Sequence, residues 1–158
     1  MRHSVSAVAT SLLLVLSTLS AVAADNVVGV PSDDPQMVAA INKARGSLHQ
    51  FFDALAHPKP NQKSFLLKVA FRHGDEVEHI WVADLNLSGK KPQGVIADEP
   101  RMKGLRFMQQ VSFDPADITD WMYIEDGKLV GGYTTQLLRQ RMSSEERKQL
   151  DASVPYKF

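Results

Sequence analysis

Three ionisable residues are candidates for catalysis: His79, Glu99 and Asp120. His79 is central in a β-favouring run, and an imidazole with a pKa near neutrality is a natural general base. Glu99 follows the end of a short predicted strand, where a carboxylate can be displayed on a rigid support. Asp120 could pair with His79 across a sheet. One hypothesis is therefore a small hydrolase-like enzyme that uses His79 with Asp120 or Glu99.

Each of these residues also has a structural interpretation. A histidine inside a strand is usually bonded to a backbone group or a carboxylate, because buried polar groups are normally paired. The acidic pair before Pro100 can cap that corner through its own backbone. A bond between His79 and Asp120 would explain both residues without catalysis. Whether the protein is an enzyme therefore stays open, and we favour a non-enzymatic function.

Motifs for known chemistries do not support an enzyme, a metal site or a cofactor. Nucleophile elbows, phosphate-binding loops, dinucleotide fingerprints and zinc-protease motifs do not occur, and the chain has no cysteine. His73, Asp75, Glu76 and His79 lie close together in the sequence. A turn followed by one strand offers about two of the four ligands that a zinc ion needs. We predict no metal site and no cofactor.

The stretch from Asp117 to Thr134 carries the strongest local signal in the chain. Its Asp126-Gly127 pair lies between two apolar arms and predicts a hairpin, because an Asp-Gly turn tolerates positive φ and matches the twist of the strands.

Aromatic and glycine residues around this hairpin are the candidates for binding a ligand or a partner. The set is Trp81, Trp121, Tyr123, Gly131, Gly132 and Tyr133. Trp121 and Tyr123 share one strand face, where they could line a groove or pack as ordinary cross-strand neighbours. Adjacent glycines usually mark a bulge or a close backbone approach, made either by a bound partner or by the protein itself.

The elements that position these residues follow from sequence periodicity. Asp34-Pro35 opens a helix, since Asp caps free N–H groups and Pro suits the first helical position. Apolar residues at three- and four-residue steps carry that helix to Ala56, before a proline-rich stop. Predicted strands cover Ser64–Arg72, Val77–Leu85, Gly94–Ala97 and Phe107–Phe113, and the hairpin follows. We predict an α+β fold: one N-terminal amphipathic helix packed on a small, mostly antiparallel sheet of about five to six strands, with a short C-terminal helix.

The N-terminus has the pattern of an export signal. Arg2 gives a positive start, an apolar run extends from Val8 to Val22, and small residues suit cleavage near Ala24. The run is too short for a comfortable membrane span, which needs about 20 apolar residues. We predict a periplasmic or secreted protein with no stable membrane insertion after cleavage. The predicted organisation is signal peptide 1–24, lead-in 25–33, a single domain 34–142 and a C-terminal helical turn and tail 143–158.

The balanced charge of the chain gives no reason to expect a strongly charged binding partner. The chain has 18 Lys and Arg against 18 Asp and Glu. Nucleic acids and anionic lipids select proteins with a basic excess. We predict no nucleic-acid partner and assign no anionic-lipid partner.

Several short motifs occur in a fixed order along the chain. They are Asp34-Pro35, Lys68-Val69-x-Phe71, Glu78-His79-Ile80-Trp81-Val82, Glu99-Pro100, Ile118-x-Asp120-Trp121-Met122 and Gly131-Gly132-Tyr133-Thr134. Together they resemble the bacterial domain-of-unknown-function family DUF2314. The resemblance implies a bacterial source and a compact α+β domain but no activity.

The chain departs from the pattern of that family at two places. The resemblance leads us to expect a Gly-Asp pair in the Phe107 to Gln110 region, and an Arg where this chain has Gln136. If that Arg pairs with a carboxylate in relatives, the pair is absent or rebuilt here.

Our leading hypothesis is an exported, non-enzymatic domain that binds a protein or small ligand in the cell envelope. The hydrolase-like enzyme is one alternative. A second alternative is an inhibitor or stress protein that blocks an envelope partner, and it requires an exposed apolar patch without a pocket.

Overall fold

The computed structural model describes residues 34–158, so the predicted signal peptide and lead-in lie outside the described residues. The chain forms an α+β fold, as predicted. Helices α1 to α4 cover Pro35–Gly46, Leu48–Ala56, Tyr133–Arg141 and Ser144–Ser153. Strands β1 to β6 cover Gln62–His73, Glu76–Asn86, Gln93–Ile96, Gln110–Ser112, Ile118–Glu125 and Lys128–Gly131. They pair antiparallel in the order β4-β3-β2-β1-β5-β6.

The core lies on one face of the central strands, where alternate side chains of β1 such as Leu67 and Val69 are buried. Leu67 is opposite Val82 of β2 and opposite Trp121 of β5, and all three are almost fully buried. Ala44 of α1 and Phe51 of α2 belong to the same buried cluster. The two N-terminal helices therefore cover the sheet face that carries these apolar residues, as the amphipathic pattern predicts.

The single predicted N-terminal helix is wrong in one respect, because the structure interrupts it at Ser47 (φ −106°, ψ 8°). The indole Nε1 of Trp121 donates to the Ala44 carbonyl at 3.0 Å and to the Ser47 hydroxyl at 3.2 Å. The indole of Trp121 thus binds the last turn of α1 at Ala44 and the interrupting residue Ser47, and this contact stabilises the break between α1 and α2. Gly46 lowers the cost of the break, since glycine favours helix less than alanine does.

The predicted strand Phe107–Phe113 is also too long, because only Gln110–Ser112 forms β4. Met108 has φ +62°, a left-handed conformation that departs from the extended backbone of a regular strand. The residues before β4 instead form an exposed loop along the edge of the sheet.

The C-terminal part of the chain holds two helices rather than one. A capping box at Ser143 and Glu146 starts α4, which is longer than the helical turn predicted there. Arg139 of α3 pairs with Asp151 of α4 at 2.7 Å and joins the two helices. Within residues 34–158, no helix is long and apolar enough to cross a membrane.

Candidate functional site

Asp120 is the most completely buried of the three predicted catalytic residues, with an exposed fraction of 0%. It lies on β5, and its carboxylate accepts four hydrogen bonds. The donors are Trp121 N at 2.9 Å, Tyr133 N at 3.2 Å, Thr134 N at 2.8 Å and Thr134 Oγ1 at 2.6 Å. Burial raises the pKa of Asp120, while the hydrogen bonds from Thr134 and Trp121 and the charge of Lys68 act in the opposite direction.

These bonds make Asp120 the cap of α3. The first amides of a helix have no partner inside the helix and need an acceptor. Gly132, at the capping position, supplies no side-chain bond. Asp120 supplies that acceptor from a neighbouring strand, and a carboxylate is also favoured by the helix dipole at that end. The carboxylate therefore binds the first turn of α3 and fixes that helix against the sheet.

His79 does not pair with Asp120, so this part of the enzyme hypothesis is wrong. His79 is exposed at one side, but its Nδ1 lies in a part-buried contact 3.0 Å from the hydroxyl of the buried Thr119. None of the four bonds to Asp120 comes from His79. Desolvation lowers the pKa of His79, and the positive charges of Lys68, Arg72 and Arg45 lower it further.

Glu99 is exposed in the connection between β3 and β4, and it makes no hydrogen bond or ion pair within residues 34–158. Its neighbour Asp98 instead accepts from Trp81 N at 3.1 Å. Two shallow hollows, of about 270 and 170 Å³, lie at the β2–β3 loop and between α1 and α3. Neither is lined by His79, Glu99 or Asp120. The structure does not bring the three candidate residues into one cleft.

The predicted binding residues fall into buried and partly exposed groups. Trp121 and Tyr123 are 1% and 7% exposed, and their rings stack at 6.0 Å within the core. Tyr133 meets the Trp121 ring edge-on at 5.8 Å. Trp81 is half-buried, with the ammonium of Lys68 5.0 Å from its ring centroid. That these aromatic residues bind a partner stays a prediction, and among these four only Trp81 and Tyr133 retain partly exposed rings.

Gly131 and Gly132 have an internal role. Both have positive φ, of +76° and +64°. A Cβ on Gly131 would lie 2.3 Å from the carbonyl oxygen of Trp121, and one on Gly132 would lie 2.9 Å from the Leu129 side chain. The pair allows the chain to turn from β6 into α3 directly against Trp121, which is the close internal approach that adjacent glycines indicated.

The position expected to hold an Arg has a different partner here. The Gln136 side chain donates to the Gly131 carbonyl at 2.6 Å. Five residues later, Arg141 pairs with Asp34 at 2.8 Å and ties the end of α3 to the start of α1. An arginine–carboxylate pair therefore exists near this position in the fold, although not at Gln136.

An exposed loop before β4 was not recognised from the sequence as a candidate site. We call residues 101–108, Arg-Met-Lys-Gly-Leu-Arg-Phe-Met, the basic loop. Phe107 and Met108 are 52% and 63% exposed, and the charged side chains of Arg101, Lys103 and Arg106 are exposed beside them. The alternation of cationic and apolar residues could have indicated this site. The prediction of a strand from Phe107 onward hid it, because it divided the loop between two elements.

Residues 34–158 contain no group of three or more His, Asp or Glu side chains placed to hold a metal ion. The arrangement offers two kinds of surface: a sheet face with His79 and Trp81, and the protruding basic loop. Of these, the basic loop presents the more exposed apolar side chains, Phe107 and Met108.

Comparisons with known proteins place this chain among bacterial relatives. It is 29% identical over 123 residues to the uncharacterized protein YegJ of Escherichia coli K12, covering 77% of this chain and 79% of that one. It is 33% identical over 93 residues to a putative ankyrin repeat protein of Neisseria meningitidis serogroup B. That match covers 56% of this chain but only 37% of the relative.

No solved structure gives a significant match to the chain. The family model of DUF2314, described as uncharacterized protein conserved in bacteria, matches residues 34–158, which is the whole of the described structure. The chain therefore belongs to the DUF2314 family.

Proposed function

We propose that this protein is an exported domain of the bacterial cell envelope that acts by binding a partner rather than by catalysis. The observation that carries the proposal is the basic loop. Its two large apolar side chains, Phe107 and Met108, are more than half exposed to solvent. Large apolar groups that protrude together from a surface often mark an interaction site.

The geometry of the polar residues supports binding over hydrolysis. Asp120 has no free acceptor directed at solvent, since it is fully buried and accepts bonds from α3. His79 therefore has no Asp120 carboxylate to orient it as a general base. Catalysis by this pair would require a nucleophile, a base and a substrate site within hydrogen-bond reach of one another.

Export is the second component of the proposal, and it rests on the pattern of residues 1–24. The test is mass spectrometry of the protein recovered from the periplasmic fraction of its own host. Cleavage after Ala23 or Ala24 is expected. Recovery of the uncleaved chain from the cytoplasm would contradict it.

Binding through the basic loop can be tested inside the cell by photo-crosslinking. A photoreactive amino acid replaces Phe107, and the matched control replaces Leu87, an exposed apolar residue of the β2–β3 connection. An adduct at position 107 that is absent at position 87 is expected. No adduct at 107, or equal adducts at both positions, would show that the loop is not the contact surface.

The inhibitor hypothesis uses the same surface and differs only in the partner. An exposed apolar patch without an enclosed pocket at the patch is what it requires, and the basic loop fits that description. Identification of the position-107 adduct as a single envelope enzyme, whose activity falls on binding, would favour this version.

A further inference from the structure

We propose that the partner of the basic loop is the anionic surface of a phospholipid membrane. Phe107 and Met108 would enter the interfacial region, and Lys103 and Arg106 would meet lipid phosphates. This inference rests on the proposed function, because it identifies the partner of the same surface.

Local charge distinguishes the basic loop from the chain as a whole. Residues 101–108 contain three cationic residues and no acidic one, whereas the full chain balances 18 positive against 18 negative residues. Arg101 is 3.8 Å from Glu78, so its charge is partly offset. Lys103 and Arg106 are exposed and make no ion pair within the described part of the chain. Their charges remain available to an external anion.

The apolar side chains lie directly beside these charges. Phe107 and Met108 follow Arg106 in the sequence and are 52% and 63% exposed. Gly104, at φ +89°, has no atom within 4 Å of where a Cβ would lie, so this part of the loop extends into open solvent. An exposed apolar pair beside cations can place its aromatic ring and its thioether at headgroup depth while the neighbouring charges stay at the anionic surface.

The base of the loop is fixed, so binding does not have to order it. At one end, Met102 is 6% exposed, and its amide donates to Glu78 Oε2 at 2.7 Å. At the other end, the Met108 amide donates to the Ile96 carbonyl at 3.0 Å, and Ile96 donates back to Gln109 at 2.9 Å. A preorganised contact loses less conformational entropy on binding.

The backbone of Met108 supports a role outside the fold. Its φ of +62° is a conformation that residues other than glycine, asparagine and aspartate rarely adopt. This conformation does not bury the residue, since Met108 is 63% exposed. An external contact would give the apolar side chain at this position a favourable environment.

These observations favour a lipid surface over an acidic protein. A protein partner that receives Phe107 and Met108 must offer a matching groove, whereas a lipid interface accepts any protruding apolar group. Neither a small apolar anchor nor a few cations alone holds a protein firmly on a membrane. An apolar anchor together with neighbouring cations gives measurable membrane affinity.

The experiment is co-sedimentation of the processed protein, purified from its host, with two kinds of vesicle. One contains phosphatidylcholine only, and the other contains phosphatidylcholine with phosphatidylglycerol. We expect binding to the anionic vesicles, at least tenfold weaker binding to the neutral ones, and loss of binding as salt screens the charges.

Paired variants locate the contact. Phe107→Ala with Met108→Ala, and separately Lys103→Glu with Arg106→Glu, should each weaken anionic-vesicle binding at least tenfold. The matched controls are Leu87→Ala and the pair Lys90→Glu with Lys91→Glu, which alter exposed residues of the β2–β3 connection. The controls should bind as the unmodified protein does.

Three outcomes overturn the inference: no binding to anionic vesicles, equal binding to both kinds of vesicle, or equal loss in the control variants. The vesicle comparison needs no substitution, so misfolding of a variant cannot obscure it. A protein adduct at position 107 in the cell, together with no vesicle binding, would overturn the lipid partner and leave the proposed function intact. Absence of any protein or lipid adduct at that position, together with no vesicle binding, would instead remove the proposed function.

Discussion

The carboxylate of Asp120 holds Thr134 through two bonds, from its amide at 2.8 Å and from its hydroxyl at 2.6 Å. Asp120 belongs to a central strand and Thr134 to the first turn of α3. Both residues are buried. The pair therefore fixes where α3 begins relative to the sheet, and a residue whose type suggested catalysis serves the fold.

Replacing Asp120 should strongly destabilise the domain. Asp120→Ala removes the acceptor of four donors, among them the buried amide and hydroxyl of Thr134, and each unsatisfied buried donor costs about 1–3 kcal/mol. We expect the free energy of unfolding to fall by about 3 kcal/mol or more, as measured by urea denaturation. Thr134→Val, which removes the hydroxyl donor and keeps the amide, should cost less.

Glu99→Ala is the control for this prediction, because Glu99 is an exposed acid whose removal should change stability by less than about 0.5 kcal/mol. A folded Asp120→Ala protein of unchanged stability would show that the cap is not important for the fold.

Gly131 and Gly127 offer a matched comparison of steric conflict. Both have positive φ, of +76° and +73°, so alanine meets a similar backbone penalty at each. Only at Gly131 does the added Cβ meet protein atoms, with the Trp121 carbonyl oxygen 2.3 Å away. Gly131→Ala should therefore lower the free energy of unfolding by about 1–3 kcal/mol more than Gly127→Ala does. Equal costs would mean that the Trp121 backbone moves freely away.

Acid should weaken the link between the start of α1 and the end of α3. The Arg141 guanidinium beside Asp34 lowers the pKa of that carboxyl from 3.8 to about 2. A pKa that is lower in the folded state stabilises the fold above pH 3.8, and this contribution is lost as the pH falls through about 2. Asp34→Asn keeps a capping side chain but removes the charge.

The corresponding measurement is the urea midpoint across that acidic range. The difference between the unmodified protein and Asp34→Asn should shrink toward the acidic end. Asp75→Asn, in the exposed turn between β1 and β2, serves as the control and should show no such trend. A constant difference for Asp34→Asn would show that the ion pair with Arg141 does not form in solution.

His79 should titrate below its usual pKa of 6.5, because desolvation and nearby cations disfavour the imidazolium. NMR titration of the ring protons measures this directly. Arg72→Gln removes one of those cations from an exposed position and should raise the pKa of His79. Arg106→Gln, in the basic loop, should leave it unchanged. A pKa well above 6.5 would indicate an unrecognised carboxylate partner.

Local sequence signals predicted the elements whose shape depends on local chemistry. Asp126-Gly127 gave the β5–β6 hairpin, Asp34-Pro35 gave the start of α1, and alternation along Lys68 to Arg72 gave β1. Gly131-Gly132 correctly indicated a close approach, because few other residues tolerate positive φ beside another backbone.

Tertiary contacts decided the features that the sequence did not predict. The break at Ser47 depends on an indole that is 74 residues away along the chain. The partners of Asp120 come from the turn into α3, up to 14 residues away, rather than from the strand that carries His79. Sequence periodicity shows which side chains lie on the same face of a strand. It does not show which helix terminus packs against that face.

The most direct test of the central claim is the stability of the variant Phe107→Ala with Met108→Ala. If these residues serve a partner, the fold does not need them. The free energy of unfolding should then change by less than about 0.5 kcal/mol, as for other exposed substitutions. A loss of about 2 kcal/mol or more would show that at least one of these side chains packs within the fold in solution. That result would contradict the assignment of the basic loop as a binding surface.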